Sequence, residues 1–320
     1  MDRREFIATA AAPLLFGVVP PAFARPSGGS PFALVTADLE SSIVVVGLPD
    51  GRVVRRLATP ADPRSIQSIG GTGAIVAHTG SGRVSLVDSS LDVHSIRGPF
   101  EAPRYTAVSD DLRSAYITDS GRHEVAIVDV RARRVVRRVP VGGPARHLTL
   151  DVLGSRLWVV LGSKSAEIAI VGLDHPGGPR VIDRVRPPFL AHDVGYEPRG
   201  AHVWVTSGDR GRLAIYDDHS LRLVKTFRGD APPQHVTFLD GRAFVTSGDD
   251  ALLRVHALDG RLIRSASVPS GSYNVEQGFG MIFTPSLSQG TLSTFTARGA
   301  PLERVRVARS SHDVCFVMAA

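Results

Sequence analysis

Apolar positions along the chain gather into short runs separated by polar turns, and one run recurs throughout. It reads Ala33-Leu34-Val35-Thr36, Ala74-Ile75-Val76-Ala77, Ala115-Tyr116-Ile117-Thr118, Leu157-Trp158-Val159-Val160, Val203-Trp204-Val205-Thr206, Ala243-Phe244-Val245-Thr246 and Met281-Ile282-Phe283-Thr284. Its last positions, 36, 77, 118, 160, 206, 246 and 284, step by 41, 41, 42, 46, 40 and 38 residues. A fixed period of this size is the mark of a repeat architecture. Each run is followed by a polar turn and a second apolar stretch: Ile43 to Leu48, Val84 to Asp88, Val125 to Asp129, Ile168 to Leu173, Leu213 to Asp217, Leu252 to Leu258 and Leu292 to Ala297. A further turn leads to a third stretch, as in Val53 to Leu57, Val135 to Val141, Leu223 to Phe227 and Leu262 to Val268. Runs this short, rich in β-branched residues and punctuated by turns, are strands joined as hairpins.

A fourth strand precedes each anchor run and carries an apolar or β-branched residue at Ile66, Thr106, Leu148, Val194, Val236, Val275 and Val314, again in phase. The two series are offset at the ends. The first anchor run has no such strand before it, and the segment at Val314 has no anchor after it. Pairing Ser311 to Met318 with Phe32 to Thr36 rebuilds one complete blade from both termini, which is how a propeller closes its ring and protects its edge strands. The expected fold is therefore all-β: a seven-bladed β-propeller of four-stranded antiparallel blades over 25–320, its closing blade made of 311–318 and 32–58.

The carriers Tyr116-Ile117-Thr118-Asp119, Phe244-Val245-Thr246-Ser247 and Trp204-Val205-Thr206-Ser207, each followed by a Gly-containing turn and a strand such as Val125-Ala126-Ile127-Val128-Asp129, resemble the YVTN-type seven-bladed propellers. The Asn after Thr is missing from every copy, and no Trp-Asp dipeptide ends a strand. The resemblance implies a fold and an extracytoplasmic home. It implies no shared reaction, so function has to be read from a site.

Composition narrows the partners. The 37 Lys and Arg exceed the 31 Asp and Glu by six, and Lys164 and Lys225 are the only lysines, so the basic excess is arginine and favours anionic partners. The single Cys315 excludes an intramolecular disulfide and a cysteine-rich zinc site. At the start, Arg3-Arg4, an apolar run from Ala8 to Val19 and Ala22-Phe23-Ala24 form a secretory signal that resembles the twin-arginine type, with cleavage expected after Ala24. Pro13, Pro20 and Pro21 interrupt it, so it is a leader at 1–24 and not a span, and the mature chain is expected in the periplasm or outside the cell. Export argues against nucleic acid as the partner of Arg133-Arg134 and Arg137-Arg138, which alternation assigns to the solvent side of an outer strand.

The two residues before each inner-strand apolar position are Arg64-Ser65, Arg104-Tyr105, Arg146-His147, His192-Asp193, Gln234-His235, Tyr273-Asn274 and His312-Asp313. Successive blades should gather these residues around the central funnel, rimmed by Asp119, His123, Asp209, Asp249 and Asp250. Two chemistries can use them. Arg64, Arg104 and Arg146, from neighbouring blades, could hold a carboxylate or phosphate by charge-assisted bonds, or could instead tie blades together through Asp193, Asp313 or loop carbonyls. His147, His192, His235 and His312, with Asp193 or Asp313, could ligate zinc, copper or iron, or work as acid and base. The repeated His-Asp-Val resembles the histidine hub of the nitrous oxide reductase propeller in that tripeptide alone. No Gly-x-Ser-x-Gly, His-Glu-x-x-His or phosphate loop is present, and Gly71-Thr72-Gly73 lacks the third glycine of a dinucleotide site.

The expectation is a binding or scaffold protein that captures an anionic small molecule or a partner loop on its funnel face through Arg64, Arg104, Arg146, His147, His192, Asp193, His235, Asn274, His312 and Asp313. The alternative is a metal-assisted hydrolase or lyase of lactonase type, with a transition metal on His192, His235 and His312 and with Asp193 as base.

Overall fold

The computed structural model describes residues 29–48, 50–200 and 202–319. The leader expected at 1–24 lies outside them. Every described strand belongs to one of seven four-stranded antiparallel sheets, and the sheets form the blades of a ring. The first blade is built from both ends of the chain: Val314–Ala319 pairs with Ser30–Ala37, which pairs in turn with Ser42–Gly47 and then Val53–Ala58. The closure register sets Phe32 against Val317, Leu34 against Cys315 and Val35 against Val314. The offset of the two strand series is thus the signature of ring closure.

The two middle strands of a blade, such as Gly73–His78 and Ser42–Gly47, are buried along their whole length, because each blade is sandwiched between two neighbours and both its faces are covered. The core lies accordingly between the blades, as seven apolar clusters each shared by an adjacent pair. Trp158 and Trp204, both fully buried, fill two of these seams, and the Trp158 indole N–H donates to Asp218 Oδ1 at 2.7 Å. Outermost strands such as Val53–Ala58, Arg134–Pro140 and Leu262–Ser267 face solvent. In six blades a bulge interrupts their pairing, which twists the free edge away from further strand addition. Part of the arginine excess works here between blades. Arg56 Nη2 donates to the Val307 carbonyl at 2.7 Å, Arg184 Nη2 to that of Val141 at 2.8 Å and Arg156 Nη1 to that of Asp218 at 2.6 Å.

The threonine that ends several anchor runs clamps adjacent blades. Thr118 Oγ1 accepts the Tyr105 N–H at 3.0 Å and donates to the Arg146 carbonyl of the next blade at 2.5 Å. Thr206 accepts from Asp193 N at 3.2 Å and donates to the Gln234 carbonyl at 2.7 Å. Thr246 likewise donates to the Tyr273 carbonyl. One hydroxyl therefore fixes where its own inner strand and the next one begin, and that placement builds the funnel.

Buried His78 adds a pH-dependent element away from the funnel. Its Nε2 lies 2.9 Å from Ser85 Oγ, and burial pulls its pKa down to about 4. The unfolded chain would protonate this ring near 6.5, so the neutral ring contributes stability that is present above that pH and is lost as pH falls from 6.5 towards 4. The loss amounts to roughly 3 kcal/mol. In His78→Gln this contribution is absent, so the stability of the variant relative to the wild type should rise by roughly that amount between pH 7 and pH 4 in urea melts. A difference that stays constant with pH would count against it.

Candidate functional site

The seven residue pairs split into two levels. The second members, Ser65, Tyr105, His147, Asp193, His235, Asn274 and Asp313, line a central cavity of about 340 Å³. The first members lie outside that cavity, at the mouth beyond it. Alternation along a strand separates neighbours in this way, whereas the choice of which level faces the cavity comes from how each inner strand is entered.

Three histidines converge. Ring centroids of His147 and His192 are 4.7 Å apart, those of His147 and His235 also 4.7 Å, and those of His192 and His235 5.5 Å. One nitrogen from each lies within 4.8 Å of the others. Ligands at zinc–nitrogen distances of about 2.0–2.1 Å sit about 3.3 Å apart around a tetrahedral ion, so modest ring rotations would complete the set. The supporting contacts suit a metal. His192 Nδ1 donates to the Ser163 carbonyl at 2.9 Å, which leaves Nε2 with its lone pair free. His235 Nδ1 is 3.4 Å from Asp193 Oδ2, the carboxylate–histidine arrangement that orients a ligating ring. His147 is 1% exposed, and neither ring nitrogen makes a hydrogen bond of good geometry. A fully buried imidazole with both nitrogens idle is costly unless something else satisfies them.

Burial keeps two of the rings neutral. It pulls His147 well below its ordinary range, helped by His235, His192 and Arg146, and it pulls His192 down to about 4. Neutral imidazole is the ligating form. Gly208, at φ +74°, lets its loop lie against His192, since a Cβ there would come within 2.7 Å of the histidine Cβ.

His312 does not join this cluster. It is the first-blade member of its series, and Arg64, Asp38 and, less strongly, His235 act on it, with burial as the main cause of a pKa of about 4. The histidine cluster that the fold assembles is therefore His147, His192 and His235, from three consecutive blades, whereas the expected set was His192, His235 and His312. Asp193 and Asp313 tie the inner strands together. Asp193 Oδ2 accepts the Val236 N–H at 3.2 Å, and Asp313 Oδ2 accepts the Ile66 N–H at 3.1 Å. Each Asp of the repeated His-Asp-Val thus links its inner strand to that of the next blade, which makes Asp193 a positioning group and not a free base.

The arginines divide. Arg64 is held by Asp62, with Nε 2.9 Å from Oδ1. Arg104 and Arg146 have no carboxylate within 4.0 Å among the described residues, and the Nε of each is buried without a partner. Burial, with Arg146 and Arg64 alongside, pulls the Arg104 guanidinium down from its usual range. Of the two, Arg146 acts electrostatically on His147 and His192, and Arg104 lies beside Arg146. Of the expected rim, Asp119 is buried and accepts from Glu101 N and Ala102 N, just before the inner strand of its blade, Asp209 pairs with Lys164, and Asp249 accepts from Tyr273. Cys315 is buried and its thiol is pushed well above the usual range by that burial, so it is inert.

Sequence reading missed two features, the anchor threonines as inter-blade clamps and Glu276 inside the cavity. The spacing of Glu276, two residues after Asn274 in extended chain, was the available signal.

No family model and no curated protein matches the chain. Solved structures do. The periplasmic gluconolactonase PpgL of Pseudomonas aeruginosa aligns with a TM-score of 0.72 at 18% identity over 91% of this chain and 100% of its own. A protein of unknown function from Desulfotomaculum acetoxidans gives 0.73 at 11% identity over 90% and 99%. Apo AztD from Citrobacter koseri gives 0.69 at 11% identity over 92% and 99%. Among the described residues no helix is long and apolar enough to cross a membrane. At these identities the likeness concerns the fold, and by that fold the chain is a seven-bladed β-propeller.

Proposed function

We propose that this chain is an exported metal-binding propeller, whose funnel holds one divalent transition ion on His147, His192 and His235 and offers an anion a place between that ion and Arg104 and Arg146. The observation that carries this reading is the convergence of three histidine nitrogens within 4.8 Å, one of the rings wholly buried with both nitrogens unbonded. Imidazole donors without thiolate suit zinc, copper or nickel, and three protein ligands leave a position open. The guanidinium pair supplies the anion with charge-assisted donors, which is where the expected capture of an anionic small molecule or a partner's acidic loop enters. The leader and the periplasmic relative of similar fold support an address outside the cytoplasm.

Protein purified without a histidine tag, stripped with chelator and titrated with Zn²⁺, should take up one ion per chain in calorimetry. Acetate or phosphate should then bind the zinc-loaded form, with at least tenfold loss in the Arg104→Ala/Arg146→Ala double variant. Absence of a stoichiometric site would remove the reading. A hydrolytic version of it has one specific support, the open position next to two guanidinium groups suited to a carboxylate product. Its test is ring opening of a small aldonolactone by the zinc-loaded protein, followed by pH-stat, and a rate no greater than that of free zinc would exclude it.

A further inference from the structure

The cavity has a second polar corner that the histidine cluster leaves unused. It is formed by the seventh and first blades, on the far side of the ring from His147, and its groups are Glu276, Asp313 and Asn274. Among the described residues no lysine or arginine lines this cavity, and its basic side chains are His147 and His235, of which His235 faces Asp193. The strain of that arrangement is visible in two groups. Burial, with Asp313 and Asp193 nearby, holds the Glu276 carboxyl well above the usual carboxylate range, and burial pushes Asp313 up to about 6.

Asn274 provides an independent observation. It is 3% exposed and lines the cavity, and its Oδ1 has no hydrogen-bond partner. A buried amide oxygen left in this state lacks a donor. Asp313 has spent only part of its capacity, on the N–H groups of Ile66 at 3.1 Å and Val314 at 2.9 Å and on the Asn274 amide, while a carboxylate offers about four acceptor positions. The corner thus presents oxygens from three side chains, carries the Asp313 charge at neutral pH and contains no lysine or arginine. Aliphatic and aromatic side chains, among them Ile66, Leu150, Val194 and Phe238, complete the lining, and Gln277 and Pro198, both exposed, mark an outer end open to solvent.

We propose that this chamber is a binding site for a small primary amine, with the ammonium group held by Glu276, Asp313 and the Asn274 Oδ1 and the alkyl part lying along the cavity wall. The ammonium group carries three N–H donors and no acceptor, which matches three converging acceptors and supplies the missing charge. A volume of about 340 Å³ falls within the range of small-molecule sites and accommodates a short alkyl chain with water. Anions are disfavoured by the carboxyl groups here and favoured at the arginine mouth, so mouth and cavity are sorted by charge. Glu276 and Asp313 belong to other blades than the three histidines, so the amine would be held by groups that a metal there does not use.

The test compares n-butylamine, 1-butanol and butyrate by calorimetry at pH 7.5 on chelator-treated protein. Butylamine should bind at least tenfold more tightly than butanol, which has the same shape without the charge, and butyrate should not bind in this cavity. Glu276→Gln should weaken butylamine at least tenfold. It keeps the side-chain shape and removes a carboxyl that burial disfavours, so its melting temperature should match or exceed that of the wild type. Gln277→Lys, at the exposed outer end, provides a variant that leaves the interior packing untouched, and its added positive charge should weaken the amine at least threefold. Equal binding of butanol and butylamine, or unchanged amine binding in both variants, would overturn the proposal and leave the metal reading intact.

Discussion

Alanine at His147 should weaken zinc binding by at least a hundredfold, about 2.7 kcal/mol, while glutamine at His312 should leave it unchanged. His147 stands at the centre of the cluster, with its ring 4.7 Å from both His192 and His235, and its nitrogens have no other hydrogen-bonding use. Removing it leaves two imidazoles, too few to define a tetrahedral site. His192→Ala and His235→Ala should behave similarly. Asp193→Asn is informative in a different way, because it keeps the shape but weakens the carboxylate that orients His235 at 3.4 Å, and such supporting groups are worth about 10- to 100-fold in affinity. Isothermal titration of the set reads these differences directly. If His312→Gln abolished binding and His147→Ala did not, the ligand set drawn from the fold would be wrong.

Membership of that set shows where sequence reading stops. Period and phase revealed seven blades, and the mismatched ends revealed the closure, because both depend on strand order alone. The same order contains most of what was needed for the histidine cluster: His147, His192 and His235 precede the inner strands of three consecutive blades, whereas His312 belongs to the first blade and is separated from His235 by the seventh. Repetition of His-Asp-Val drew attention to His192 and His312 together. That repetition reflects a backbone requirement, since each Asp accepts an N–H from the next inner strand, and it carries no information about where the histidines point. Nor did alternation say which member of each pair faces inward. The answer rests on the bonds that Thr118, Thr206 and Thr246 make across the blade boundary, which are tertiary contacts. The arginine arc was half legible for a similar reason: Asp62 lies two residues before Arg64 and holds it, while nothing comparable precedes Arg104 or Arg146.

Deleting 311–320 should convert the soluble chain into aggregate or protease-sensitive material. The closing strand Val314–Ala319 carries Val314, Cys315, Phe316 and Val317 into the core, none more than 9% exposed. Alternation sends them to two seams at once. Val314 and Phe316 pack between the seventh and first blades, and Cys315 and Val317 pack between the first and second. Full burial of such side chains is worth about 1.5–3 kcal/mol each, so four of them approach the whole stability of an ordinary domain. The deletion also strips Ser30–Ala37 of its partner, exposes an apolar edge to other chains and removes the Asp313 carboxylate that accepts the Ile66 N–H. A milder version separates packing from edge exposure: Phe316→Ala keeps the strand and should cost about 3–5 kcal/mol in urea melts. The Phe316 ring packs with its centroid 4.6 Å from that of Phe283, so the loss should be read as a seam opening between the last blade and the first. A truncated chain that stayed monomeric in light scattering and as resistant to protease as the full one would mean that the ring holds without its clasp.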